Sequence, residues 1–348
     1  MKLSIEKPII IGKNHNQAEM AWAWWHEHHA RLAIVGDSQL SPRKEMIKSI
    51  AGLIHGRDSN AVFWITDDPK SSLSEVYPIQ SIPWVEQFPD PPKEIVDRDI
   101  FIANRKFFSS SFFSLLAQKK GILRKDLFPP TSYQGHIEGP MGGYIRAIQT
   151  LEDEDKKTWL MNEIMDLENV YWYKTKDGGR KFYLNSEGEY QKALSFLVAA
   201  WSFWAYTCEL EEAQQMLLII EPPKEFLMAH TDPMIQEIIV EALRILNNLS
   251  VTTTTTVILS SETFNPIPFH NYRYRVIFQT KDSDIDLSTP ENKKAIQMPS
   301  LYNAWEMGND DKGLWEDNHT GERFVLSFSG EDVSFWDDYE DGIRQDQE

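Results

Sequence analysis

What constrains this chain most is an alternation of short, continuous apolar runs with amphipathic helical stretches. Leu32 to Val35, Ala61 to Thr66 and Met216 to Ile220 are unbroken apolar runs, and Val251 to Leu259 is β-branched almost throughout. Runs of this kind suit strands buried on both faces. After the first run, Met46, Ile47, Ile50, Leu53 and Ile54 recur at helical spacing. Pro42 opens that helix, where its missing N–H would be unpaired in any case. After the third run, Ile235, Ile238, Ile239, Ala242, Leu243 and Leu246 repeat the pattern. Strands separated by helices imply a mostly parallel sheet with helices on both faces. Further short strands are expected at Asp99 to Ala103 and Arg275 to Phe278. A closing hairpin is expected from Gly313 to Glu316 and Val325 to Phe328, across Asn318 to Gly321.

The two halves of this pattern are separated by a different kind of sequence. A Pro-rich stretch from Pro78 to Pro92 and a Gly/Pro-rich loop from Gly121 to Gly143 lead into a helical, acidic and aromatic segment. One hairpin signal interrupts it, Tyr171-Trp172-Tyr173 and Phe182-Tyr183-Leu184 around Asp177-Gly178-Gly179. The expected organisation is therefore a first part of an α/β domain over residues 1–143 and an inserted, mainly helical and aromatic subdomain with a hairpin over 144–215. The second part of the α/β domain takes 216–330 and an acidic tail 331–348. That tail holds eight carboxylates and one Arg and is expected to be solvated.

Composition narrows the function classes. Forty-one per cent apolar residues, with 12 Trp, suffice for a large core. The net charge of −18, from 53 acidic and 35 basic residues, repels phosphate backbones. Nucleic-acid contact is disfavoured outside a local basic patch. One candidate patch exists, the hairpin tip Lys174, Lys176, Arg180 and Lys181. The aromatic group around it, from Trp159 through Trp172 to Tyr206, sits among acids and reads as core or protein interface. The single cysteine, Cys208, excludes an internal disulfide, fits a reducing cytosol and reads as an inert core thiol. No signal peptide opens the chain, and the apolar stretch from Ala193 to Cys208 is short for a membrane span. A cytoplasmic chain is expected, meeting a membrane only through a partner.

The loop from Gly36 to Arg43 lies between a buried strand and a helix, where a phosphate-binding loop belongs. Such a loop needs glycines so that backbone N–H groups can wrap phosphates, a Lys for the outer phosphates, and a Ser or Thr for magnesium. Counted from Gly36, through Asp37 and Ser38, the second Gly position holds Ser41, the Lys position Pro42 and the Ser/Thr position Arg43. Arg43 and Lys44 carry charge, but inside the helix. Two other groups read as structural. His26-Glu27-His28-His29, after Trp22, Trp24 and Trp25, lacks the H-E-x-x-H spacing because position 30 is Ala30, and an ordinary polar helix is expected there. Asp67-Asp68 with Lys70 ends the second strand and reads as a turn before Pro69. No metal site and no catalytic residue are assigned.

Taken in order along the chain, these pieces resemble the FtsK/HerA superfamily of P-loop motor ATPases, the DNA translocases and conjugative coupling proteins. Arg31 to Ser38 looks like the strand and loop start of that nucleotide site. Asp68-Pro69-Lys70, then Leu73, Tyr77 and Pro83, is similar to the family's D-P-K segment. Leu218 to Leu227 resembles its second nucleotide motif. Val257 to Glu262, then Pro266-Ile267-Pro268, sits where the family has its sensor, and Arg275 to Phe278 with Asp282-Ser283 looks like the segment that follows. The resemblance covers about residues 30–90 and 215–330 and implies a RecA-like P-loop fold.

The departures fall on the chemistry. Magnesium-assisted hydrolysis needs a carboxylate for the ion and a second one to orient water. Glu221 stands at the metal-side position, but Pro222 replaces the catalytic Glu. Glu262 replaces the sensing Gln, and Asp284 the Arg of the last segment. The resemblance with these losses implies a degenerate ATPase, a structural or regulatory subunit of a DNA-transfer, DNA-processing or defence machine. Other protein subunits, an active motor among them, would be its partners, in a homo- or hetero-oligomer, with no cofactor. Two alternatives stay open. One is an active ATP-driven DNA translocase with an atypical loop, in which Arg43, Lys44 and Glu221 carry phosphate and magnesium. The other is a pure protein-interaction module.

Overall fold

Apolar strands without alternation bury both faces only if helices cover both sides of the sheet, and that is the arrangement observed. The computed structural model describes residues 7–14, 16–25, 30–37, 41–58, 61–67, 77–78, 118–122, 148–149, 151–168, 172–174, 179–184, 188–209, 215–227, 232–252, 255–262, 272–278 and 312–336. Among these, 13 strands form one sheet. In chain order they are β1 (Ile9–Asn14), β2 (Glu19–Trp22), β3 (Arg31–Val35), β4 (Val62–Thr66), β5 (Tyr77–Pro78), β6 (Trp172–Lys174), β7 (Arg180–Tyr183), β8 (Met216–Glu221), β9 (Thr255–Ser261), β10 (Tyr274–Ile277), β11 (Lys312–Asp317), β12 (Arg323–Ser327) and β13 (Ser334–Phe335). The longer helices are α1 (Arg43–Arg57), α2 (Glu154–Glu168), α3 (Glu189–Glu209) and α4 (Pro233–Thr252).

The centre of the sheet runs β10-β3-β9-β8-β4-β7 and is parallel throughout. Antiparallel strands extend it on both sides. β11, β12, β1 and β13 follow β10, with β2 on β1, while β6 and β5 follow β7. The strand β3 has its chain successors on opposite sides, β4 on one and β10 on the other. The loop after β3 therefore opens at the switch point where ligands bind in open α/β sheets.

Alternation sorts each central strand between two cores. Leu32 and Ile34 of β3, Leu217 and Ile219 of β8, and Ile258 of β9 face α1, where Met46, Ile47, Ile50, Ala51 and Ile54 meet them. Ala33 and Val35, Leu218 and Ile220, and Val257 and Leu259 face the other side, covered by α3 and α4. Each such side chain, fully removed from water, contributes roughly 1.5–3 kcal/mol before entropy is counted. α3 is apolar nearly all round, with Leu194, Phe196, Trp201 and Phe203 all buried. A helix of that kind belongs inside a core rather than on its surface.

The stretch 144–215 is mainly helical, with a hairpin, as expected from its pattern. Its β7 pairs with β4 at Phe63↔Arg180, so the hairpin lengthens the main sheet. The indole of Trp172 donates to Ser202 Oγ of α3 at 2.7 Å and packs edge-on to Phe63 and Phe182. Trp172, Phe196, Trp201, Phe203 and Trp204 of the aromatic group are buried in the core, and Trp159 is partly buried against it.

Three expectations need correction. Val251 and Thr252 continue α4, and the strand begins only at Thr255. The helical apolar phase through Ile245 and Leu249, both buried, overrides the β preference of branched side chains. The first residues of the acidic tail are folded: β13 pairs with β1 at Ile10↔Ser334 and Ile9↔Phe335, and the Trp336 N–H donates to Pro8 O at 2.9 Å. Strands β1 and β2 precede the run at Leu32, where the pattern placed no strand, and both Trp22 and Trp24 are buried. Positions 26–29, the expected strand at 99–103, the side chain of Cys208 and the rest of the tail lie outside the described residues. No helix among the described residues is long and apolar enough to cross a membrane.

Candidate functional site

Strand parity determines what meets at the C-terminal edge of the sheet. Glu221 follows Ile219 by two residues on β8, and Ser260 follows Ile258 by two on β9. Both therefore point to the α1 face. Glu262, two residues beyond Ser260, continues the same side. Arg43 opens α1 on that face, and its side chain is 3 % exposed. Its guanidinium donates to Ser260 Oγ, and it lies 3.8 Å from Glu221 Oε1 and 3.5 Å from Glu262 Oε1. Ser260 Oγ is in turn 3.5 Å from Glu221 Oε1. One cation thus ties the first turn of α1 to the ends of β8 and β9.

The charge balance follows from burial. Burial lowers the Arg43 pKa from its ordinary value, and Glu221, Glu262 and Asp37, in that order, oppose the shift. Arginine keeps its proton under such a pull. Asp37 is itself 6 % exposed, so one buried acid accompanies the buried Arg43, with Glu221 half-buried and Glu262 exposed beside them.

The described residues flanking positions 38–40 contact one another. Gly36 remains in the sheet, with its N–H on Ser261 O at 3.0 Å. The Ser41 hydroxyl donates to Asp37 O at 2.6 Å, and the Ser41 N–H reaches the same oxygen at 3.1 Å. A Cβ at Gly36 would collide with Ser41 Oγ and lie 2.8 Å from Phe278 Cβ, so the serine fills the space in front of the glycine. Pro42 caps α1 with no side-chain hydrogen bond. Lys44 lies on the exposed side of α1, and Pro222 follows β8 directly. A magnesium nucleotide needs a lysine, a metal-binding hydroxyl and an available carboxylate. The residues present do not fit it: the lysine position is a proline, the hydroxyl position is an arginine, and Glu221 is taken up by that arginine.

The other candidates separate. Asp67 does end β4, but its carboxylate is 3.0 Å from Lys192 Nζ of α3 and its N–H reaches Glu221 O at 3.3 Å. Arg180 and Lys181 lie within β7, with their cations 5.0 Å and 4.9 Å from the ring centres of Phe63 and Trp64 on β4. Lys174 belongs to β6. Ser38, Asp68, Lys70, Lys176, 266–268 and 282–284 lie outside the described residues. No group of three or more His, Cys, Asp or Glu among the described residues is arranged to hold a metal ion.

Two features escaped the sequence reading. Lys192 carries no motif, and Ser260, though inside the Val257–Glu262 segment, gave no sign of its contact with Arg43; both join the edge through long-range packing. A second network, Arg275–Glu316–Arg323, crosses three neighbouring strands at Arg275↔Glu316 and Glu316↔Arg323. The closing hairpin contained the signal for half of it, because an opposed Glu and Arg in a hairpin form a cross-strand pair.

No family model matches the chain, and no curated protein does. Solved structures do. The structure of VirB4 of Thermoanaerobacter pseudethanolicus superposes with a TM-score of 0.56 at 11 % identity, over 94 % of this chain and 98 % of that one. The pCW3 conjugation coupling protein TcpA gives a TM-score of 0.40 at 9 % identity, over 99 % and 72 %. The genome packaging NTPase B204 from Sulfolobus turreted icosahedral virus 2 gives 0.36 at 11 % identity, over 86 % and 97 %. The chain shares the RecA-like P-loop α/β fold of that VirB4 structure, the fold its ordered motifs implied.

Proposed function

We propose, from this motor-ATPase fold, that the chain is a catalytically degenerate member of the type, a cytoplasmic pseudo-ATPase. It serves as a structural or regulatory subunit of a DNA-transfer, DNA-processing or defence machine. The observation that carries this reading is the Arg43 guanidinium held by Ser260, Glu221 and Glu262 at the edge where such folds take their ligand. An arginine there neutralises the carboxylate that a magnesium ion would need. The missing lysine at Pro42 removes the charge that would meet the outer phosphates. No nucleotide or metal is needed in this role. Its partners are other protein subunits, an active motor among them, and DNA is handled by those partners rather than by this acidic chain.

The test is isothermal calorimetry of ATP on the full chain, with and without magnesium. The expected result is no binding up to about millimolar, which corresponds to less than ~4 kcal/mol. Micromolar, magnesium-dependent binding would overturn the proposal in favour of an ATP-driven translocase with an atypical loop. Substitution of Lys44 or Glu221 would then abolish hydrolysis.

A further inference from the structure

We propose that Arg43 is an internal stand-in for a bound cation. It locks the first turn of α1 to the ends of β8 and β9 and holds the ligand edge of the sheet in one arrangement, whatever nucleotide is offered. The inference rests on the pseudo-ATPase reading and adds what the replaced site does mechanically.

The argument is geometric. The three partners come from two strand ends: Ser260 and Glu262 from β9 accept hydrogen bonds, Glu221 from β8 is ion-paired at 3.8 Å, and they converge on one guanidinium supplied by the first residue of α1. A soluble ion reaches such acceptors at its bulk concentration and leaves again. A cation tethered to the helix is present at a constant, high effective concentration. A ligand shifts a conformational equilibrium only by its differential affinity for the two states. With the acceptors satisfied by Arg43, a magnesium nucleotide gains nothing by ordering them. The loop side agrees, because Ser41 closes on Asp37 within the chain itself.

Hydrogen exchange on the full chain tests this, with wild type, R43Q and R43K compared in magnesium alone and in magnesium ATP. Glutamine keeps a donor near Ser260 and removes the charge, while lysine keeps a charge without the planar fork. Wild type is expected to exchange identically under all conditions. R43Q should accelerate exchange at residues 43–47, 221 and 260–262 by about tenfold or more beyond any acceleration at the centres of β3, β8 and β9. Millimolar magnesium should slow R43Q at those same amides, since Glu221 and Glu262 then lack their cation, and R43K should fall between. R43Q exchanging like wild type would overturn the proposal. So would an acceleration no greater at those amides than at the centres of β3, β8 and β9, because that marks a contribution to global stability alone instead of a local lock. If R43Q does not fold, R43K decides by the same two criteria. Failure of the underlying reading has a different signature: magnesium ATP would protect residues 36–44 of the wild type, while R43Q still loosened locally.

Discussion

Two arginine–carboxylate networks in this molecule are opposites of each other. At the ligand edge, one cation, Arg43, is shared by Glu221 and Glu262. On the antiparallel wing, one carboxylate, Glu316, is shared by two cations, with Arg275 Nη1 at 3.3 Å and Arg323 Nε at 2.8 Å. The first places two carboxylates around one cation. The second leaves an excess of positive charge and staples three neighbouring strands. Burial lowers the Arg275 pKa, Glu316 opposes this, and Arg323 adds to the lowering. Stoichiometry, more than the presence of an ion pair, decides what each place can do.

The comparison can be broken, starting with the largest expected effect. Arg43→Ala leaves Glu221 and Glu262 facing each other beside Asp37 and should cost about 3–4 kcal/mol, read from the urea midpoint at constant slope. A double-mutant cycle sharpens this. Glu221, whose side chain is 20 % exposed, should couple to Arg43 more strongly than Glu262 at 46 %. The exposed partner should contribute less than ~1 kcal/mol. Equal couplings would mean that burial does not rank these pairs.

Glu316→Gln comes next, at about 2 kcal/mol. Arg275 and Arg323 keep side-chain exposures of 12 % and 22 %. Their long stems let the heads reach water once the carboxylate is lost. A cost above that of Arg43→Ala would reverse the ranking of the two networks.

Gly36→Ala should cost roughly 1–2 kcal/mol by overpacking against Ser41 and Phe278. Adding Ser41→Ala should recover part of that cost, because one of the two collisions disappears. No recovery would show that Phe278 alone limits the space. Thermal unfolding of the single and double variants reads this directly.

The smallest effect is a pH dependence. Burial pushes the Asp317 pKa up, but the His319 N–H at 2.7 Å, Arg273 and the Thr320 N–H outweigh it and hold the pKa below the ordinary 3.8. A depressed carboxylate pKa stabilises the fold above its unfolded value, and that contribution is lost as pH falls below about 3.8 through the folded value. Asp317→Asn should flatten this part of the acid limb in a stability profile between pH 5 and 2. An unchanged limb would place the acid sensitivity elsewhere.

Much of the fold was legible because strand burial and helix phase are local properties. The runs at Leu32, Val62 and Met216 and the helices around Ile47 and Ile239 stand where their patterns put them. The errors came where two local preferences compete or where a signal is short. Val251 and Thr252 prefer strand but sit in the last turn of a strongly amphipathic helix. β2 and β13 are too brief and too mixed in polarity to announce themselves. Their pairing with β1 supplies the order.

The candidate site was legible as positions but not as an arrangement. Residue order alone identified Gly36, Pro42, Arg43, Glu221 and Glu262 and the absence of a loop lysine. A missing side chain can be read from a sequence, because chemistry that needs a charge cannot be done without one. What Arg43 does instead was decided by the tertiary structure. Its partners lie on strands far along the chain, and only the parity of β8 and β9 and the side of the sheet taken by α1 bring them to one guanidinium. Sequence determines which charges exist. Packing determines which of them meet, because an ion pair in a buried edge depends on geometry and desolvation together.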